Sequence, residues 1–316
     1  MSGFITIGIV QTALEVGLIY SLVALSLFIS FSILDICDLS TDGCYTLGCA
    51  VGAIVTIAGH PWLALLAAMG AGVCSGFVTA FLQTRLGVPS ILAGIIVNTG
   101  LYTINLAVMG FSSNIAIFGK DTVFSMIGSL SSSPFWKSWN KLIFLAVLIA
   151  VICLAIWWFM GTTLGLAIRA TGDSPAMVRS SSINPALMIT VGLCVANAFT
   201  GLAGSLIGQY NKSCDINLGT GMVTIALASL IIGETLSGKR VMLRRILGVV
   251  LGSCLYRFIV SIALRLDVPT EAFKLVSAII VAVAIAAPQI RALVAYQKKK
   301  KAAMALRRAQ VKGGRD

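Results

Sequence analysis

The sequence predicts an all-α polytopic membrane protein with about nine membrane spans, an inverted-topology internal repeat and two broken helices. Three observations carry this: too few charges for a soluble domain, apolar runs near twenty residues long, and a segment that recurs 180 residues later. Of the 316 residues, 58% are hydrophobic and 11% charged, and the mean hydropathy is +0.98. A soluble domain carries about 25% charged residues, so a soluble fold is excluded. A helix needs about 20 apolar residues to cross the hydrocarbon, and runs of that length read as spanning helices, not strands. The start of the chain has no charged region followed by a small-residue cleavage site, so no signal peptide is expected.

Nine spans are read at about 4–32, 43–58, 62–83, 90–109, 141–160, 187–208, 222–236, 244–263 and 271–288. Together they form one transmembrane domain over 1–290, followed by a basic tail at 291–316. The net charge of +12 is placed for a membrane, not for nucleic acid. Arg169 and Arg179 lie in 161–186, Lys239, Arg240, Arg244 and Arg245 in 237–245, and four consecutive lysines begin at Lys298. Alternating spans put all three segments on one side, and the positive-inside rule makes that side cytoplasmic. The N-terminus and the Ser-rich 110–140 segment, which ends in Trp136 and Trp139, are then expected outside. The eight cysteines are scattered through apolar runs without a CxxC pair and read as small packing residues, not as disulfides or metal ligands.

The repeat aligns "GVCSGFVTAFLQTRLGVPS" (72–90) with "GSCLYRFIVSIALRLDVPT" (252–270) without a gap. Upstream, "DICDLSTDG" (35–43) echoes "DINLGTG" (215–221), and "VGL" at 16–18 echoes 191–193. The repeats cover about 4–109 and 187–288, with span 141–160 between them. An odd number of crossings separates their starts, so the halves lie inverted in the membrane, an arrangement associated with transport. Both echoes of "DI" are Gly/Thr/Asp stretches leading into apolar spans. Irregular backbone at membrane depth is tolerated only where it is buried in protein or lines a cavity. Two broken helices are therefore expected, with Asp42, Tyr45 and Thr46 approaching a passage from one half and Thr220 and Thr224 from the other; ordinary short loops are the plainer alternative.

Further polar residues fall inside spans. Asn98, Tyr102 and Asn105 are spaced to share one helix face. Glu15 and Asn197 interrupt apolar runs, and Glu234 closes one at "LIIGE". An ionisable group at that depth faces the bundle interior, while asparagines either bond neighbouring helices or line a pore. The pairs Gly48/Gly52, Gly72/Gly76 and Gly204/Gly208 have the spacing of close helix packing. "GETLSGKR" (233–240) resembles a phosphate-binding loop, but Arg240 replaces the hydroxyl that would ligate magnesium, and a membrane span precedes it instead of a strand. No nucleotide, metal or cofactor site and no catalytic constellation is read in this chain.

The segment "IRATGDSPAMVRSSSINP" (168–185) stands apart. Asp173 or Ser174 caps a short helix with Pro175 at its first turn, and Asn184-Pro185 ends it. Gly161, Gly165 and Gly172 are read as bends. About 25 residues connect two spans here, where 2–8 suffice. Arg169, Gly172, Asp173, Ser174, Pro175 and Arg179 therefore read as a docking element at 161–186, and a permease without its own ATP site implies an ATPase partner.

"GLAIRATGDSPAMVRSSSINP" resembles the cytoplasmic coupling segment of ABC importer permeases of the branched-chain amino-acid and ribose-type family. "ALEVGLIYSLVALSLFISFSILDICDLSTDGCYTLGCAVGA" is similar to the start of the tryptophan/tyrosine-type subgroup, and "GMVTIALASLIIGE" is a third matching block. The resemblance runs from about Ala13 to Pro288. It implies a bacterial plasma-membrane location and a working unit of two permease subunits, alike or different. Two ATPase subunits carrying ATP and magnesium, and an extracytoplasmic solute-binding protein, complete the unit. It implies a small solute, an aromatic or other apolar amino acid first among them, and places Glu234 at a family position. An arginine is expected where Ser32 stands, and a smaller residue without a thiol where Cys44 stands. The competing reading is an ion-coupled secondary transporter, which wants buried carboxylates for coupling; only Glu15 and Asp42 offer themselves.

Overall fold

Prolines, glycines and small capping residues set the helix ends read from the sequence. The computed structural model describes residues 7–129, 134–238 and 241–265, with a few isolated positions beyond. The first helix, α1 (Ile7–Leu27), runs into a π-helical turn at Phe28–Ile33. Next come α2 (Thr41–Ile57), α3 (Pro61–Thr84) and α4 (Ser90–Val108). A strand β1 (Asn114–Ala116), a short α5 (Val123–Gly128) and the long α6 (Pro134–Gly161) follow. Then stand α7 (Thr163–Asp173), α8 (Pro175–Ser180), α9 (Pro185–Asn211), β2 (Ser213–Asp215), α10 (Met222–Ser237) and α11 (Met242–Arg265). Pro61, Pro175 and Pro185 open their helices, where a missing N–H costs nothing. The side chains of Thr122, Thr162, Ser174 and Asn184 cap α5, α7, α8 and α9.

Among the described residues, six helices are long and apolar enough to cross a membrane. The predicted spans 43–58 and 222–236 are the 17-residue α2 and the 16-residue α10. At 1.5 Å per residue each is about 25 Å long, short of a hydrocarbon core of about 30 Å. The count of nine is corrected to that extent, and the predicted span 271–288 and the tail 291–316 lie outside the described residues. One small addition to the all-α fold is the antiparallel pair β1–β2, with Ile115 opposite Cys214. Strands of three residues are too short to show a period in the sequence.

The most apolar window of α1 is 78% buried, against 28% for α4 and α6. Thus α1 is the most enclosed of the spanning helices, and outer helices turn apolar faces outward: Phe77 of α3, Ile96 of α4, and Val147, Leu154 and Trp158 of α6 are all exposed. Packing follows the small residues. Cys44, Gly48 and Gly52 of α2 meet Asn197, Gly201 and Ser205 of α9 in the same order, so these helices run parallel. Gly72 and Gly76 of α3 meet the carbonyls of Asn197 and Leu193, so α3 runs antiparallel to α9. Likewise α11 runs antiparallel to α1, with Arg245 over the Phe28 ring at one end and Ser253 donating to the Gly17 carbonyl toward the other. A Cβ on Gly48 or Gly204 would collide with the carbonyl of Gly201 or Tyr45; backbones this close leave room for hydrogen alone.

Candidate functional site

The two short helices begin against each other. Asp42, in the first turn of α2, accepts hydrogen bonds from the backbone N–H of Gly221 (2.9 Å) and Val223 (2.8 Å). A carboxylate there satisfies the orphan donors of α10 and opposes the positive end of its dipole. Thr46 Oγ1, one turn further along α2, accepts from Gly219 N–H at 3.1 Å. From this junction the helices diverge. The far end of α10 brings Glu234 to Ser32 at the end of α1, whereas α2 runs along α9 toward Cys214 and the strand pair.

The start of α2 has its own anion. Asp38 is buried at 2% exposure. Its Oδ1 accepts from Ser40 N–H (2.9 Å) and Ser40 Oγ (2.6 Å), and its Oδ2 accepts from Asn197 Nδ2 at 2.8 Å. Thr79 Oγ1 donates to Ser40 Oγ and Cys44 Sγ to the Asn197 carbonyl. Residues 34–40 thus climb back into the protein as irregular backbone, satisfied by side chains from α3 and α9. Asp38 was not foreseen from the sequence. The usable signal is Asp38-x-Ser40, an Asx-type turn before a helix.

A cavity of about 190 Å³ opens beside the junction. Asp42, Gly43 and Thr46 of α2 form one wall, Asn98, Thr99, Tyr102 and Asn105 of α4 another, and Ile216, Asn217 and Thr220 the third. The helix face shared by Asn98, Tyr102 and Asn105 is the wall, and Asn105 Nδ2 donates to the Gly43 carbonyl at 3.0 Å. The cavity therefore gathers Asp42, Thr46, Asn98, Tyr102, Asn105 and Thr220. Two residues read with them stand elsewhere. Tyr45 is buried at 1% exposure in the core, because its side chain projects away from the α4 face. Thr224 is exposed on α10, one turn past the lining.

The remaining polar residues act as ties. Glu15, 3% exposed, accepts from Tyr210 Oη at 2.8 Å and Gln11 Nε2 at 2.9 Å, binding α1 to α9. Asn197 joins α9 to the segment before α2. Glu234 pairs with Arg245 at 2.7 Å, and Ser32 donates to the same carboxylate. The resemblance leads to an arginine at position 32; here Arg245 supplies the cation from α11 and donates to Ser32 Oγ at 2.7 Å.

The 161–186 segment folds as two helices, not one. Arg169 lies on α7, Arg179 on α8, and both are exposed, as are Asp173 and Pro175. Ser174 caps α8, accepting from Met177 N–H. Gly165 and Gly172 are not bends: they sit in α7, facing Phe159 and the carbonyl of Ile33. Gly172 accordingly presses the segment onto the π-helical turn and does not face outward.

The family model described as branched-chain amino acid transport system / permease component matches residues 9–285. The chain is 33% identical to a tyrosine transport system permease protein of Clostridioides difficile, over 89% of this chain and 90% of that one. It is 28% identical to a guanosine ABC transporter permease of Bacillus subtilis, over 76% and 69%. It is 26% identical to a ribose import permease of Escherichia coli, over 78% and 75%. No solved structure matches. With a family match across most of its length and apolar helices of spanning length, the chain belongs to the permease-component family of branched-chain amino acid transport systems.

Proposed function

We propose that this chain is the membrane subunit of an ATP-binding-cassette importer, passing a small solute, an aromatic or other apolar amino acid first among them, that an external binding protein delivers. The observation that carries the reading is the polar cavity beside the junction of α2 and α10, walled by the first turns of α2, by α4 and by residues 216–220. Half-helices that meet inside a transport protein are where such proteins hold their solutes. The inverted repeat is part of the proposal. It equates α1 with α9 and α3 with α11, and in agreement α3 packs antiparallel on α9 as α11 does on α1. The amino-acid assignment leans on the tyrosine permease relative.

Energy enters from a separate ATPase subunit that binds ATP and magnesium. It docks on α7–α8 with Arg169 and Arg179 outward, on the cytoplasmic side, and the N-terminus lies outside. A second permease subunit completes the passage. The ion-coupled alternative is disfavoured because both carboxylates it would use are engaged: Glu15 by Tyr210 and Gln11, Asp42 by two backbone N–H groups. The test is uptake of labelled tyrosine into proteoliposomes holding this chain, its ATPase and its binding protein. Uptake that requires ATP and all three proteins supports the proposal. Uptake driven by a sodium or proton gradient with the ATPase absent overturns it.

A further inference from the structure

The junction between α2 and α10 carries a definite charge. A helix N-terminus is worth about half a positive elementary charge, and two such ends meet here. Both are already answered from within the chain: Asp38 bonds the backbone entering α2, and Asp42 bonds the first turn of α10. Two carboxylates against two half-charges leave about one net negative charge. Among the described residues lining the cavity there is no lysine, arginine or histidine to offset it.

The hydrogen-bonding groups point the same way. The N–H groups that would greet an anion are held by Asp42. Asn105 is 1% exposed at the cavity wall. Its Nδ2 donates to the Gly43 carbonyl, and its Oδ1, an acceptor, has no partner among the described residues. What remains at the wall is a buried acceptor beside a carboxylate.

We infer that this cavity admits cationic, hydrogen-bond-donating groups and repels anionic ones, so that a zwitterionic amino acid enters with its ammonium group toward Asp42 and Asn105. Free carboxylates, including the same solute stripped of its amino group, are poor cargo. The inference rests on reading the cavity as the passage, and deepens that reading from a place to a chemical class.

The experiment places a thiol in the cavity and compares charged reagents. Thr220→Cys, in the complete importer in proteoliposomes, is treated with a trimethylammonium-ethyl or a sulfonatoethyl methanethiosulfonate. Each rate is normalised to the same reagent's rate with a free thiol, and the parent chain gives the background. The cationic reagent is expected to react at least about tenfold faster than the anionic one. Asp42→Asn in the same background should bring the two rates to within about threefold. Asn217→Cys, also in the wall, repeats the measurement if Thr220→Cys does not fold. Equal rates, or a faster anion, overturn the inference, as does a preference that Asp42→Asn leaves unchanged or an absence of reaction at both positions. None of these results bears on whether uptake requires ATP, so the two readings fail separately.

Discussion

Arg245 and Glu234 form an ion pair at 2.7 Å, with side chains only 17% and 14% exposed. The pair ties the start of α11 to the end of α10, and Ser32 adds the end of α1 to it. Removing one member strands the other. Arg245→Met is expected to cost about 3 kcal/mol, read as a lowered unfolding temperature in detergent. Exchanging the two charges, Glu234→Arg with Arg245→Glu, should recover part of the loss. A single variant as stable as the parent would show that the pair adds nothing.

The α2–α9 contact gives a sharper contrast. Gly48→Ala pushes a methyl into the Gly201 carbonyl and should cost about 1–3 kcal/mol. Gly70→Ala, on α3 with nothing within 4 Å of the added carbon, should be neutral or gain up to about 1 kcal/mol from helix propensity. Thermal unfolding of the two purified variants checks this directly; matching shifts would mean that α2 and α9 do not lie this close.

Reversing Arg169 or Arg179 to glutamate should uncouple transport. Both are exposed on adjacent helices, where a reversed charge repels a partner as well as losing a contact. The variants should reach the membrane, yet lose about tenfold or more of solute-stimulated ATP hydrolysis and co-purify less ATPase. Full coupling in both would remove α7–α8 from the interface.

Gly172→Val addresses the step behind that surface. Its side chain would strike the Ile33 carbonyl on the π-helical turn, so the ATPase should still co-purify while solute-stimulated hydrolysis falls. Loss of co-purification equal to that of the arginine variants would place Gly172 on the docking face instead.

Sequence periodicity and composition located the helices because apolar runs and prolines are local. Eight of the nine predicted spans correspond to helices, all but α6 within a few residues of their expected ends; α6 starts at Pro134, seven residues before the predicted 141. The breaks were legible for the same reason: "DLSTDG" and "INLGTG" are polar stretches at the mouths of apolar helices. Partners were not legible. The sequence points to Asp42 as a passage residue, but nothing near it announces that it caps a helix starting 180 residues later. Arg245 sits in a basic loop and was counted toward orientation, whereas the fold turns it inward onto Glu234. Tyr45 lies three residues past Asp42, a spacing that shares a helix face, yet its side chain is taken up by the hydrophobic core, a packing outcome that spacing does not announce. The π-helical turn and α7 depend on packing against each other, which no local pattern encodes.

The self-sufficiency of the junction has a kinetic consequence. Asp38 and Asp42 hold the backbone entering α2 and α10 from within the chain. On the proposed reading of the cavity as the passage, a departing molecule strands none of these N–H groups, and an arriving one is held by charge and by Asn105, not by the backbone of the breaks. On that reading the expected dwell times are short, and affinity for cargo belongs mainly to the partner that delivers it. A conduit must bind well enough to admit and weakly enough to release, and this one is built toward release.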